Sequence, residues 1–446
     1  MDMRLRRSPL LAAGAAAVAF ALPASPALAN HSQFSVFEAP RELKSTDDSL
    51  RQATLDEIRA FGVTHVRVLI NWAGVLENPE SRSRPSGDAT DPGAAQYDWS
   101  TYDKLIDEAT DRGIEVIPTL TGPVPRWATA GKAGHNIKPN RNDFEKFVEA
   151  AGTRYADKVG TWTVWNEPNL SSTLSPQFVN RKPYSPLLYR ALYQAAIQGL
   201  GASGNGGDQV LAGETAPRGN APSRNSKGGA VPPVTFAKLF LKGKKLPMTG
   251  YSTHPYTTST GPLATPKDKN TVSISSLGRL AKVLNQSGYK HLGLYLLEFG
   301  IQSRPDKIVG VPEAKQNDYR NISEKIAYDN PRVKAFSQYL MRDDYDLGAF
   351  QSGLRYADGA LKASYTGYAL PLVATRVKQK VRLWGLVRAG GSSVTVEQQD
   401  GGGEWTSIGD VSTNSRGYWT TSASFKKGRK FRAVAGEKTS PAASIY

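Results

Sequence analysis

Residues 161–170 read TWTVWNEPNL. The first five are β-branched or aromatic and fit a short buried strand, and the proline at 168, which has no N–H to donate to a ladder, ends it. The strand therefore closes on Asn166 and Glu167. A carboxylate at the mouth of a buried strand loses hydration, which pushes its pKa upward. That is the property of a general acid. Such a group needs a second carboxylate facing it and a scaffold that brings the two together.

Working outward, short apolar or β-branched runs recur along the chain: FSVF near 34, HVRVLI near 65, IEVIPTL near 114, TWTVW near 161 and QVLAG near 209. They continue as GYSTHPY near 250, LGLYLLEFG near 292 and LGAFQSG near 347. Between them lie stretches with apolar residues at three and four spacing, such as SLRQATLDEIRAFG, TYDKLIDEATDRG and NDFEKFVEAAGTRYADK. Gly62, Gly113 and Gly288 sit where helix C-caps are expected. Eight strands alternating with helices predict an α/β chain folded as a (β/α)8 TIM barrel over residues 31–374. A doubly wound open sheet is the competitor, but FEAPRELKS follows the first strand where that fold carries a glycine-rich phosphate loop. From 375 to 446 the texture changes to alternating strands broken by AGGSS, DGGGE, NSRG and KKGRK, which predicts a small, basic, antiparallel β-sandwich-like domain. Trp405, Trp419 and Phe431 are read as its core rather than as a sugar platform.

Residues 1–30 have a basic start, an apolar run from Leu10 to Leu22 and the triplet Ala27-Leu28-Ala29, the pattern of an export signal peptide. A secreted or envelope-associated protein is expected, with no stable membrane insertion. The absence of cysteine excludes disulfides and thiolate metal sites. The net charge is +16, and the segment from Arg376 to Tyr446 holds twelve Lys or Arg against five Asp or Glu. In an exported chain that excess points to an anionic envelope polymer or acidic polysaccharide rather than nucleic acid, with solubility as the plain alternative. A monomer is expected, and no cofactor is called for.

Glu298, in YLLEFG, likewise ends an apolar strand. By strand count Glu167 closes strand four and Glu298 strand seven, both at the C-terminal face of the barrel. Two facing carboxylates suit cleavage of a glycosidic bond. VWNEPN (164–169) and LLEFG (296–300) together resemble the acid/base and nucleophile motifs of the retaining (β/α)8 glycoside hydrolases of clan A. The first is most similar to family 39, the β-xylosidase and α-L-iduronidase type, and the second equally to the cellulase-type family 5. The resemblance runs over residues 34–373. It implies Glu167 as acid/base, Glu298 as nucleophile and Asn166 as the partner of the sugar 2-hydroxyl. It also matches Arg67 to an arginine set beside the nucleophile, and His254 and Tyr256 to a strand-six pair that hydrogen-bonds the two carboxylates.

Each has a plainer reading. Arg67 could pair with an acid inside the barrel, and His254 could be a satisfied core group. Trp72 and Trp127 are candidates for stacking on sugar rings, with loop packing as the alternative. Glu214, ending the fifth run, is a spare carboxylate that could bind substrate or orient a loop. GAFQSGL offers Phe350 and Gln351 where many of these enzymes end strand eight on tryptophan. The function expected is therefore an exported retaining glycoside hydrolase acting on a polysaccharide or oligosaccharide. A non-catalytic carbohydrate-binding protein on the same barrel is the alternative. A metal-dependent hydrolase finds little support in five histidines without a His-x-His pair at a strand end.

Overall fold

The computed structural model describes residues 33–132, 134–220 and 229–446. The expected export segment and residues 221–228 lie outside the described residues. Eight strands form the first body: β1 (Phe34–Glu38), β2 (His65–Asn71), β3 (Glu115–Thr121), β4 (Thr161–Val164), β5 (Gln209–Thr215), β6 (Gly250–Thr253), β7 (Gly293–Leu296) and β8 (Val333–Tyr339). They close in the order β1-β8-β7-β6-β5-β4-β3-β2, every pair parallel. The seam of the ring pairs Phe34 with Ala335 and Glu38 with Tyr339. Inside, Val36, Ile117, Leu211 and Tyr295 cluster on β1, β3, β5 and β7, one layer from alternate strands. Side chains alternate along a strand, so Glu38, two residues beyond Val36, faces the same interior one layer nearer the mouth.

The eighth strand corrects the sequence reading. It is VKAFSQY at 333–339, and LGAFQSG belongs to the loop that follows. Ser337 and Gln338 are fully buried, and the Gln338 amide donates to the carbonyls of Tyr339, Leu340 and Ser352. A strand satisfied by such side-chain bonds carries polar residues that break the apolar pattern by which strands are read.

The amphipathic segments fold as expected, for example Asp48–Ala60, whose N-cap Asp47 accepts from the amides of Ser49 and Leu50. Gly62, Gly113 and Gly288 follow their helices at φ of 70°, 67° and 86°, the left-handed cap conformation. The helix Glu313–Asp329 gave no signal because its buried residues include Gln316, Asn317, Arg320, Asn321, Ser323 and Glu324, so no apolar stripe marks it.

The C-terminal strands are β9 (Leu372–Val377), β10 (Lys380–Leu386), β11 (Ser393–Gln399), β12 (Thr406–Ser412), β13 (Tyr418–Ser424), β14 (Lys430–Ala435), β15 (Lys438–Thr439) and β16 (Ala443–Ser444). One antiparallel sheet runs β9-β10-β13; the other runs β12-β11-β14-β15, with β16 pairing β14. The expected boundary after 374 falls inside β9. Trp419 and Phe431 lie in the core between the sheets, whereas Trp405 is half-buried beneath the Arg432 guanidinium. Val373, Trp384, Leu386 and Tyr418 pack against Tyr319, Ile322, Ile326 and Tyr328 of the Glu313–Asp329 helix, fastening the module to the barrel.

Candidate active site

The site occupies the C-terminal rim of the barrel. β4 runs out at Val164, and the chain turns sharply, with Trp165 at φ 65° and Glu167 at φ 43°. Glu214, at the end of β5, also has positive φ, 49°. Non-glycine residues in the left-handed region cost conformational energy and persist only where their surroundings enforce them. Here the Glu167 amide donates to the Glu214 carbonyl at 2.9 Å, tying the two turns together.

Arg67 stands at the centre, wholly buried, and every guanidinium nitrogen is used. Nη1 donates to Glu38 Oε2 at 2.6 Å and Glu298 Oε2 at 3.1 Å, Nη2 to Glu214 Oε2 at 2.6 Å and Asn166 Oδ1 at 2.7 Å, and Nε to Thr119 Oγ1 at 3.1 Å. The plainer expectation, that Arg67 pairs with acids inside the barrel, and the functional one, that it lies beside Glu298, are thus both met. His254 forms the second hub. Its Nδ1 lies 3.0 Å from Glu167 Oε1 and 3.5 Å from Glu298 Oε2, and its Nε2 lies 3.0 Å from Glu214 Oε2. Tyr256 donates its hydroxyl to Glu298 Oε1 at 2.8 Å. Oxygens of Glu167 and Glu298 come within 4.8 Å of each other.

Electrostatics separates three of these acids, Glu167, Glu38 and Glu214. Burial raises the Glu167 pKa above the usual glutamate value; the hydrogen bond with His254 pulls against this and the Glu298 charge adds to it. Burial also drives Glu38 up, to about 7, with Arg67 opposing and Glu298 assisting. On Glu214 burial works in the same sense but is outweighed by Arg67 and then His254, which hold it at about 2. Burial disfavours charge on His254, yet the three surrounding carboxylates lift it to about 10. The imidazole is therefore charged at neutral pH and donates from both nitrogens. Glu167, His254 and Glu298 have the spacing of a metal site, and both ring nitrogens of His254 already face carboxylate oxygens at 3.0 Å.

Residues 29–327 match the model of the cellulase family, glycosyl hydrolase family 5. The chain belongs to that family. Among its relatives, the aryl-phospho-beta-D-glucosidase BglA of Bacillus subtilis (strain 168) is 33% identical over 110 residues, 24% of this chain and 21% of that protein. This family 5 chain aligns with only 21% to 29% of the length of the curated relatives it matches. Its fold is also that of a family 39 glycoside hydrolase from Bacteroides cellulosilyticus WH2, with TM-score 0.56, 14% identity and coverage of 90% of this chain and 80% of that one. A GH5_18 structure from Streptomyces cattleya gives TM-score 0.53 at 17% identity, covering 76% and 79% of the two chains. The two-family resemblance in the sequence thus resolves into family 5 membership and a fold held in common with family 39.

Of the residues expected at the site of this family 5 chain, Arg67, Asn166, Glu167, Glu214, His254, Tyr256 and Glu298 come together. Trp72 and Trp127 do not. Trp72 is 1% exposed and stacks on Phe147 at 5.4 Å, so the sugar-stacking expectation gives way to core packing. Trp127 lies perpendicular to Trp72, ring centroids 5.6 Å apart, and carries Arg84 on its own face. The end of β8 is Tyr339; Phe350 reaches back from the following loop to pack on Tyr339 at 4.9 Å and Tyr256 at 5.9 Å. Glu38 was missed. Its signal was present, since FSVFEAP ends a strand on glutamate shortly before a proline, as TWTVWNEP does.

Proposed function

We propose that this chain is a retaining glycoside hydrolase that cleaves O-glycosidic bonds by double displacement, with Glu298 as nucleophile and Glu167 as acid/base. The observation that carries the reading is that one oxygen of each carboxylate comes within 4.8 Å of the other, with His254 Nδ1 at 3.0 Å from Glu167 Oε1 and 3.5 Å from Glu298 Oε2. Retaining enzymes hold their pair about 5–5.5 Å apart, whereas inverting enzymes leave about 6.5–9.5 Å for a water. A Glu298 oxygen bonds to the anomeric carbon as the bond to the leaving oxygen breaks, and the proton of Glu167 passes to that oxygen. Water then delivers its oxygen to the anomeric carbon and its proton to Glu167, releasing Glu298. Asn166, oriented by Arg67, is assigned to the sugar 2-hydroxyl, and Tyr256 and Arg67 position the nucleophile.

The site requires a glycoside, of which the polysaccharide or oligosaccharide expected from the sequence is one class; export rests on residues 1–30, and a monomer is the working state. The basic C-terminal module is assigned to anionic envelope polymers on its excess of cations. That assignment is tested by Lys427→Gln with Lys430→Gln, both exposed, which should weaken pelleting with an insoluble anionic polymer at low salt and not at high salt. Equal pelleting of both proteins at every salt concentration would end it. The catalytic reading is tested by following the first product by proton NMR. The anomer released should have the configuration of the substrate, and the opposite anomer would overturn the assignment.

A further inference from the structure

A cavity of about 370 Å³ opens beside the carboxylates, and its lining includes Glu167 but neither Glu298 nor Arg67. Asn166 borders a different cavity of about 300 Å³ with Leu69, Thr121 and His135. Under the proposed function, on which this inference rests, the sugar ring lies against the nucleophile. The group on the far side of the oxygen that Glu167 protonates is the leaving group. What fills the cavity beside Glu167 is therefore the aglycone.

Its wall is built from Leu170, Ile301, Ile308, Val309, Val311 and Phe350, and none of the chain's tryptophans lines it. The exposed Arg218 is among the polar side chains that border it, and the others are partly engaged elsewhere. Asp306 Oδ1 accepts from the amides of Ile308 at 2.6 Å and Val309 at 3.2 Å, and Gln302 Oε1 accepts from the Gln351 amide. The Thr257 hydroxyl donates to the Thr258 carbonyl at 2.7 Å, and the Thr258 hydroxyl pairs with that of Thr260 at 2.6 Å. A sugar seated here would set several hydroxyls against that apolar wall, at a cost of about 1–3 kcal/mol for each group left unpaired. Ile308 is 84% exposed, the most open large apolar side chain among the described residues, and it stands on this wall. Covering it returns apolar area to a dry environment.

We propose that the acid side of the site takes an apolar alcohol, an aliphatic aglycone, as its leaving group, so that the preferred substrate is a glycoside of a long-chain alcohol. The step then releases the free alcohol, its hydroxyl proton supplied by Glu167.

Nitrophenyl glycosides first select the sugar, and methyl, butyl and octyl glycosides of that sugar are then compared below the micelle concentration of the last. These alkanols leave with nearly equal ease, so differences report binding at the cavity. A buried methylene is worth about threefold to fourfold, and kcat/KM should rise at least about tenfold from methyl to octyl. Ile308→Ser with Val309→Ser should shrink the octyl-to-methyl ratio, and Ile308→Leu should keep it. A flat or falling series, or a disaccharide of the same sugar cleaved with higher kcat/KM than its octyl glycoside, would overturn the inference. Binding of 1-octanol, followed by ligand-observed NMR, separates the two failures. Octanol bound by the wild type and lost in the double serine variant supports the apolar site even if no glycoside is turned over, in which case the catalytic reading fails alone. No octanol binding overturns the site whatever the glycosides show.

Discussion

Two buried clusters of arginine and glutamate lie in this molecule, and they are poised in opposite ways. At the seam between barrel and β module, Glu324 sits between two guanidiniums, Arg320 and Arg388. The Tyr368 ring lies within 4.4 Å of the first and 4.0 Å of the second. Cations outnumber the acid there; burial works against charge on Glu324, but the two arginines outweigh it and its pKa falls below the ordinary value. At the barrel mouth one arginine and one histidine serve four glutamates, and two of the four, Glu38 and Glu167, are pushed up. The seam locks one charge state in place. The mouth keeps protons available near neutral pH, as acid/base chemistry requires.

The largest effect should come from breaking the mouth at its nucleophile. Glu298→Gln keeps shape and hydrogen bonding but cannot form the covalent intermediate, and kcat on a glycoside should fall on the order of 10⁴-fold with the melting temperature nearly unchanged. Near-normal turnover would remove Glu298 from the mechanism. Glu167→Gln comes next: without a proton for the leaving oxygen, alkyl glycosides should slow by about 10²–10⁴-fold, and nitrophenyl glycosides, whose leaving group needs little help, by less. Equal losses on both would mean that Glu167 is not the acid.

Breaking the seam sharpens the contrast. Glu324→Ala strands Arg320 and Arg388 as buried unpaired charges, a change that costs about 3–5 kcal/mol of stability. Denaturation in urea should show that loss, while kcat per folded molecule stays where it was. A fall in kcat instead would tie the seam to the chemistry.

The contrast also separates what the sequence made legible. Seven of the eight barrel strands and most of the site could be read because strands four and seven are apolar or β-branched runs that lead into a glutamate. Interior positions that are polar on purpose hid the rest. Ser337 and Gln338 inside β8, and the buried polar face of the Glu313–Asp329 helix, carry no periodic apolar signal. Arg320 donates to Gln338 Oε1 at 3.2 Å, so one missed element satisfies the other. The pairing depends on tertiary contact between residues 18 apart, which no local pattern encodes. Trp72 shows the reverse error, since an aromatic at a strand end looks the same in sequence whether it faces a sugar or Phe147.

The smallest effect concerns Glu38, the acid that sequence reading passed over. Its folded-state pKa, about 7, lies above the ordinary 4.5, so the folded protein holds its proton more tightly than the unfolded chain does. The stability this contributes is fully present below pH 4.5 and is lost as pH rises through 7. Its neighbours act in other windows: His254, raised from 6.5 to about 10, loses its contribution as pH rises through 10, and Glu214, lowered to about 2, loses its own as pH falls through 2. Glu167 is raised like Glu38, but it is present in both proteins of the comparison and largely cancels. Glu38→Gln keeps a polar partner for Arg67 and removes the titration. The wild type's advantage over this variant should therefore shrink between pH 4.5 and 7, by at most about 3 kcal/mol at 1.36 kcal/mol per pH unit. Urea denaturation at several pH values measures it. Parallel stability curves for the two proteins across that interval would mean that Glu38 is ionised throughout, and that the mouth holds one fewer proton than the comparison with the seam requires.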